Sequence, residues 1–255
     1  MTRMLYIVAL LATLAPRTAA AELPADVKPI LDRAIGAMGG AKALAKLRCY
    51  RIEEEGSAWQ GKTKSTLVTI TWEAPPDKVK FQQTQTEDKP SGPKTQTFLQ
   101  VVAGESGWNQ VVGEKAQDLD AEAVATVKGD MRSPRLQRLP ELAMRPTGTV
   151  TRLASGRVDG KPVDRLQVQT KDLPNVVLSF ATDTGLLVKS EARVPVGTML
   201  VDREIFYHDY RPVGDLKYPH KQTIYVNGNR SLELEVKRID LLEAIDPSEF
   251  QKPKS

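Results

Sequence analysis

EIFYHDYRPVGDLKYPHKQTIYV, residues Glu204 to Val226, decides the fold: two β-rich runs turn back on each other through Val213-Gly214-Asp215. Tyr207, His208, Asp209, Tyr210 and Arg211 have the composition of a catalytic cluster. Neighbours along a strand alternate between its two faces, however, so these five cannot converge on one substrate. The stretch predicts a large antiparallel sheet before it predicts chemistry.

Working outward from it, the same signals recur. On the N-terminal side, Thr147 to Arg157, Val163 to Thr170, Asn175 to Ala181, Leu186 to Val194 and Met199 to Tyr210 read as strands, with turn residues at Asp159-Gly160 and Asp183-Thr184-Gly185. After the opening hairpin's second strand, Lys217 to Val226, Asn227-Gly228 returns the chain into Ser231 to Leu242. Earlier still, Tyr50 to Trp59, Thr63 to Trp72, Asp77 to Gln85, Thr95 to Val102 and Trp108 to Val112 form a second series, punctuated by Gln60-Gly61, Pro75-Pro76, Lys89 to Lys94 and Gly104 to Gly107. In Leu67 to Trp72, Val68, Ile70 and Trp72 share one face and Thr69 and Thr71 the other, giving a greasy and a wetter side.

Two helical patterns interrupt the strands. From Asp26, placed as a cap, Val27, Ile30, Leu31, Ala34, Ile35 and Met38 follow helical spacing, and Gly39-Gly40 ends the run. Asp118 to Met131 carries a stripe of Leu119, Ala123, Val124, Val127 and Met131, and Ser133-Pro134 has the form of a fresh helix start. Lys128, Arg132, Arg135, Arg138 and Arg145 make this insertion basic, which fits a solvated helix face or a contact with an anionic surface. The expectation is a single α+β domain with roughly ten to twelve strands, two helical segments set against them and no recognisable repeat.

Arg3, the apolar run Met4 to Leu14, Pro16 and Ala19-Ala20-Ala21 follow the order of a secretory signal, so residues 1–21 are expected to be cleaved near Ala21, leaving 22–255 as one exported, soluble domain. The apolar run is shorter than the roughly 20 residues a membrane helix needs. Cys49 is the only cysteine, which leaves no internal disulfide and no lipid attachment point directly after the signal. Removing Arg3 and Arg17 lowers the net charge from +4 to +2, and aromatic residues make up only 5% of the chain. Neither value suits a nucleic-acid binder.

Chemistry is sparsely represented. His208 and His220 are the two histidines, on neighbouring strands, and neither HExxH nor CxxC spacing occurs. Gly36, Gly39 and Gly40 end a helix, whereas a dinucleotide fingerprint lies between a strand and a helix start. Glu53-Glu54-Glu55 offers carboxylates whose strand neighbours face opposite ways. Asn229-Arg230-Ser231 matches a glycosylation sequon but sits in a polar hairpin turn. No enzyme activity, metal or cofactor is expected.

Shape remains. A broad sheet with a greasy face and amphipathic helices must bring those faces together or enclose an apolar space, and such a space binds apolar ligands. Trp59, Val68, Ile70, Trp72, Val79, Phe81, Phe98, Trp108, Leu178, Phe180 and Phe206 are the candidates to line it. Each of the large side chains is also an ordinary core residue in a strand.

The order of elements, with Ile30 to Leu47 (ILDRAIGAMGGAKALAKL), Gly107-Trp108, Asp159-Gly160, Phe180 to Leu187 (FATDTGLL) and Asp209 to Pro219 (DYRPVGDLKYP), resembles the LolA-like superfamily of periplasmic lipoprotein carriers and outer-membrane lipoprotein-sorting proteins. The resemblance implies a half-barrel of about eleven antiparallel strands with helices as a lid over the concave face. It implies a non-enzymatic periplasmic carrier of lipid or lipoprotein acyl chains, without a cofactor, receiving cargo from an inner-membrane transporter and passing it to an outer-membrane receptor. An envelope sensor or protein-interaction domain on the same fold is the alternative it implies. No residue-level role carries over.

Overall fold

The computed structural model describes residues 23–132, 139–144, 148–171, 173–196 and 199–253. The expected signal segment and the expected helix start at Ser133-Pro134 lie outside them.

Short turns build the sheet. Asp159-Gly160 and Asn227-Gly228 both have positive φ at each position (49° and 75°; 49° and 74°), as two-residue type I′ hairpins require. Gly61, Gly104 and Gly214 supply a single positive φ at the first position of three further two-residue loops. These turns connect β1 (Tyr50–Gln60) to β2 (Thr63–Ala74), β4 (Lys94–Ala103) to β5 (Ser106–Val111), β7 (Gly148–Val158) to β8 (Lys161–Thr170), β11 (Met199–Val213) to β12 (Leu216–Val226), and β12 to β13 (Asn229–Leu241). β3 (Lys78–Glu87), the two-residue β6 (Gln117–Asp118), β9 (Val176–Ala181) and β10 (Leu187–Val196) complete the set.

All thirteen strands join one antiparallel sheet in the order β6-β5-β4-β3-β2-β1-β13-β12-β11-β10-β9-β8-β7. Strands β1 to β6 run outward in one direction and β7 to β13 return from the other edge, so the first and last strands meet at the centre. The expected count of about eleven falls short of the thirteen found. Ends of the longer strands match their predicted bounds to within a few residues, while β6 is too short to leave a periodic signal.

Among the described residues four α-helical segments accompany the sheet: α1 (Lys28–Ala37), α2 (Ala41–Leu44), α3 (Ala121–Arg132) and α4 (Leu139–Met144). A 3-10 turn, Ala45–Arg48, leads from α2 into β1. α1 begins after Val27 with no side-chain cap, so Asp26 does not have the capping role the sequence suggested; Pro29 occupies the first turn, where its missing N–H costs nothing. Asp120 does cap α3, accepting from the Ala123 amide at 2.8 Å.

The predicted stripe of α1 is buried at Val27, Ile30, Leu31, Ala34 and Met38, and Ile35 packs at its margin. Leu44 and Leu47, with Leu139 and Leu142 of α4, join it against Val150, Leu166, Val168, Val176, Leu178, Phe180 and Leu187. Each of the Val, Leu, Ile, Met and Phe side chains among them contributes about 1.5–3 kcal/mol when fully buried, making this cluster the main core. Arg33 of α1 and Arg152 of β7 both donate to the buried carboxylate of Asp164 on β8, fixing the helix over that end of the sheet.

A second, smaller cluster lies on the other face of the sheet. Trp108 and Val101 pack there with Ala116 and with Phe250 from a C-terminal 3-10 turn, Pro247–Phe250. The Trp108 indole N–H donates to the Phe250 carbonyl at 3.4 Å.

Candidate functional site

Cross-strand partners share a face, which allows the register to be followed through the sheet. Tyr50, Ile52 and Glu54 of β1 stand opposite Glu73, Thr71 and Thr69 of β2, and Thr71 in turn stands opposite Phe81 of β3. On the far side of the central seam, Ile205 and Tyr207 of β11 pair with Ile224 and Gln222 of β12. All of these except Thr69, with Val176, Ser190, Ala192 and Tyr218, line one cavity of about 400 Å³.

Such a lining demands curvature. β3 and β9 are seven steps apart in the strand order, or about 34 Å across a flat sheet at roughly 4.8 Å per strand. Phe81 and Val176 can face one cavity of this size only because the sheet curls, and α1, α2 and α4 fill the rest of the hollow over the β7 to β12 side.

α3 lies across the cavity. Asp130, on its last turn, contributes to the lining and pairs with Arg203 of β11 at 3.5 Å. Two residues earlier, about half a turn round the helix, Lys128 pairs at 2.5 Å with Glu105, in the β4–β5 turn on the opposite half of the sheet. The helix thus spans the two halves through two ion pairs whose acidic partners are largely exposed, the arrangement of a strap rather than of a core helix.

The cavity is amphipathic. Ile52, Phe81, Ile205 and Ile224 supply its apolar wall, and a set of oxygens supplies the rest. The Tyr50 hydroxyl donates to Glu73 Oε2 at 2.5 Å, and the Ser190 and Tyr207 hydroxyls lie 3.0 Å apart. Glu54 Oε2 accepts from the Thr69 hydroxyl at 3.2 Å, while Gln222 Nε2 approaches Oε1 at 3.5 Å. Burial pushes the Glu54 carboxyl above the ordinary carboxylate range, and the Thr69 hydrogen bond opposes that only in part. Nearby, burial and then the neighbouring Tyr207 and Tyr218 push the Tyr210 phenol well up; it donates to the Leu187 carbonyl at 2.6 Å.

The eleven candidate lining residues separate by strand parity. Phe81 lines the cavity. Val79 and Phe98 share its face, through their pairing with Glu73 and Gln83. Leu178 and Phe180 are on the concave side too, but fully buried beneath the helices in the main core. Trp59, Val68, Ile70, Trp72, Trp108 and Phe206 stand on the opposite face: Trp59 is opposite Lys64, Val68 opposite Glu55, Ile70 opposite Glu53 and Trp72 opposite Arg51. Trp108 belongs to the second cluster, and Phe206 alternates with the cavity residues Ile205 and Tyr207.

Long cationic side chains make that outer position tenable. Arg230 lies over Trp59 at 4.3 Å, Lys80 and Arg51 over Trp72 at 4.7 and 5.4 Å, and Lys189 over Phe206 at 4.9 Å. Their alkyl stems cover the rings while the charges stay solvated or paired with Glu191, Glu204 and Glu249. The greasy side of β2 read from the sequence is therefore the outer one, and the concave side carries Ser65, Leu67, Thr69 and Glu73.

His208 and His220 do not come together. His208 is opposite Lys221 and parallel to Phe206 on the outer face, while His220 Nδ1 lies 2.9 Å from the Tyr218 carbonyl oxygen. Asp209, at φ 54°, is drawn to Arg211, whose guanidinium holds its carboxyl below the usual range. Cys49 is buried, and burial raises its thiol. Among the described residues no group of three His, Cys, Asp or Glu side chains is placed to hold a metal ion, and no helix is long and apolar enough to cross a membrane.

The polar lining leaves little mark in the sequence. Glu54 was hidden in a run of three glutamates, although its spacing from Tyr50 and Ile52 places it on the same side of β1 as those two core-forming residues.

No family model matches the sequence, and neither does any curated protein. Solved structures do match in fold. A DUF1329 family protein from Desulfovibrio piger superposes with a TM-score of 0.54 at 12% identity, covering 88% of this chain and 97% of that one. A LolA superfamily protein from Nitrosomonas europaea gives 0.53 at 12% identity with the same coverage. A Vibrio parahaemolyticus domain described as an outer membrane lipoprotein-sorting protein gives 0.50 at 12% identity, covering 87% and 97%.

Proposed function

We propose that this chain, which has a LolA-like fold, is a non-enzymatic carrier that holds a lipid or acyl chain in the cavity beneath α3. The observation that carries the proposal is the cavity itself, about 400 Å³ with an apolar wall of Ile52, Phe81, Ile205 and Ile224. At roughly 0.8 kcal/mol per buried methylene, a single acyl chain gains useful affinity without polar recognition. α3 serves as the movable cover. Val79 and Phe98 extend the apolar surface along the concave side, whereas the six outward-facing candidates have no part in binding. The neighbours' fold and the N-terminal segment support export to the periplasm with cleavage near Ala21, and transfer toward the outer membrane through membrane-bound donor and acceptor proteins.

A second reading, an envelope sensor or protein-interaction domain, is favoured by the main core: α1, α2 and α4 fill much of the hollow with the protein's own side chains. Mass spectrometry of an organic extract, from protein purified from periplasm without detergent, separates the two. A stoichiometric lipid or lipoprotein fragment is the expected result. A lipid-free extract that stays so after incubation with liposomes would reject carriage in favour of partner binding.

A further inference from the structure

Exposed apolar side chains gather at one end of the sheet. Among the described residues the large apolar side chains left in water are Val112, Met199 and Leu200, at 57%, 65% and 61% exposure. Met199 and Leu200 open β11 after the β10–β11 turn, and Val112 directly follows β5, which runs toward the same end. The β4–β5, β7–β8, β9–β10 and β11–β12 turns lie at the other end and carry none of the three. One exposed apolar residue is ordinary on a protein surface, whereas a set confined to one end, on both halves of the sheet, marks a contact.

Alternation along β11 says what kind of contact. Met199 stands on the face that, at Arg203, Ile205 and Tyr207, lines the cavity, and Leu200 stands on the outer face, opposite the exposed Pro195 of β10. A rigid partner laid on either face of this hairpin covers one of the two and leaves the other in water. A fluid apolar medium surrounds both. On the inner face Val201, the next position toward the cavity, is buried, so apolar surface leads from Met199 inward.

We infer that this end of the molecule rests on a lipid bilayer, with Met199 and Leu200 inserted among the acyl chains and Val112 at the surface. Its purpose, entry of cargo along Met199 and Val201, rests on the carrier function proposed above; the contact itself follows from the exposed residues.

Flotation of the mature protein with phosphatidylcholine vesicles tests it. The unaltered protein should float, and Met199→Asp/Leu200→Asp should lower its partition at least about tenfold, since burying even one such side chain is worth about a decade in affinity. Both positions are exposed, so the fold should survive, and Met199→Ser/Leu200→Ser should give a similar loss without added charge. A polarity-sensitive dye on Leu200→Cys should shift to apolar emission on vesicles, and one on Asp183→Cys, in the exposed β9–β10 turn at the other end, should not. Absence of flotation, equal flotation of the variants, or an equal shift at both dye positions overturns the bilayer contact. So does a self-association in sedimentation that the double substitutions abolish, which would assign this end to a second copy of the chain. Calorimetry with dodecanol tests carriage separately, because neither Met199 nor Leu200 lines the cavity. Dodecanol binding without flotation removes the contact alone, and flotation without dodecanol binding removes carriage alone.

Discussion

Tyr50 of β1 reaches across to Glu73 of β2, its hydroxyl donating to Oε2 at 2.5 Å, with both residues buried at 2% and 4% exposure. The pair joins the floor of the cavity to the main core, since Tyr50 belongs to both. A buried hydrogen bond to an acidic group contributes about 1.5–3 kcal/mol. Tyr50→Phe should lower unfolding free energy by that amount in urea titration with the m-value unchanged; a loss within error would show that the bond is not carrying stability.

Glu54 gives a pH signature. Its folded carboxyl is raised above the unfolded one, so the folded state holds the proton longer. Below the ordinary carboxylate value, about 4.3, both states are protonated and the group contributes nothing. As pH rises past that value, stability falls until the folded group also ionises, then levels off. Glu54→Gln escapes this decline. The melting temperature of the variant relative to the unaltered protein should therefore climb between pH 4 and neutrality, and a difference constant across that range would contradict the assignment.

Trp72 and Phe81 separate the two faces of the sheet. Phe81→Asp places a charge in the cavity and should abolish binding of an aliphatic probe in a protein with unchanged circular dichroism. Trp72→Asp, on the outer face between Arg51 and Lys80, should leave probe binding intact. Its stability cost should be modest, since each cation–π contact at a half-exposed site contributes about 0.5–1 kcal/mol.

The strap is expected to act on rates. Asp130→Ala removes the α3 tie to Arg203, a partly exposed pair of the kind that contributes about 0–1 kcal/mol, so melting should barely move. Dissociation of a bound fluorescent aliphatic probe, followed by stopped flow, should accelerate several-fold. An unchanged off-rate would mean that α3 is not the cover.

At the centre of the sheet, Gly56 lies where any Cβ would come within 1.8 Å of the Glu233 carbonyl oxygen of β13. Gly56→Ala has no flexible side chain to push aside, only backbone. It should cost about 2 kcal/mol or more, at the upper end for single substitutions, as measured by urea unfolding.

The hairpins and their turns were legible because they depend on local chemistry, whereas the pairing of β1 with β13 at the centre of the sheet was not read from the sequence. Asp159-Gly160 and Asn227-Gly228 name their own turn type, and the apolar spacing of Val27 to Met38 names the buried side of α1. Which side of each strand faces the hollow was not legible. In β2 alternation distinguishes Val68, Ile70 and Trp72 from Leu67, Thr69 and Thr71 but carries no label for inside, and hydrophobicity pointed the wrong way. The label comes from distant residues: helices that cover the concave side, and Arg51, Lys80 and Arg230, whose stems cover the outer rings. For the same reason the run Glu53-Glu54-Glu55 did not show that Glu54 is the one that faces the hollow, and Glu73 carried no mark of its own.

The pairing of β1 with β13 has a consequence for biogenesis. The ribosome delivers the chain from its N-terminus, so Tyr50–Gln60 must wait, with one edge unsatisfied, until Asn229–Leu241 arrives. Until then the chain is two separate ribbons, and contacts this far apart in sequence form slowly. The half-built protein thus exposes a long, pairing-competent edge during synthesis, an interval in which a holding chaperone has a defined strand to guard.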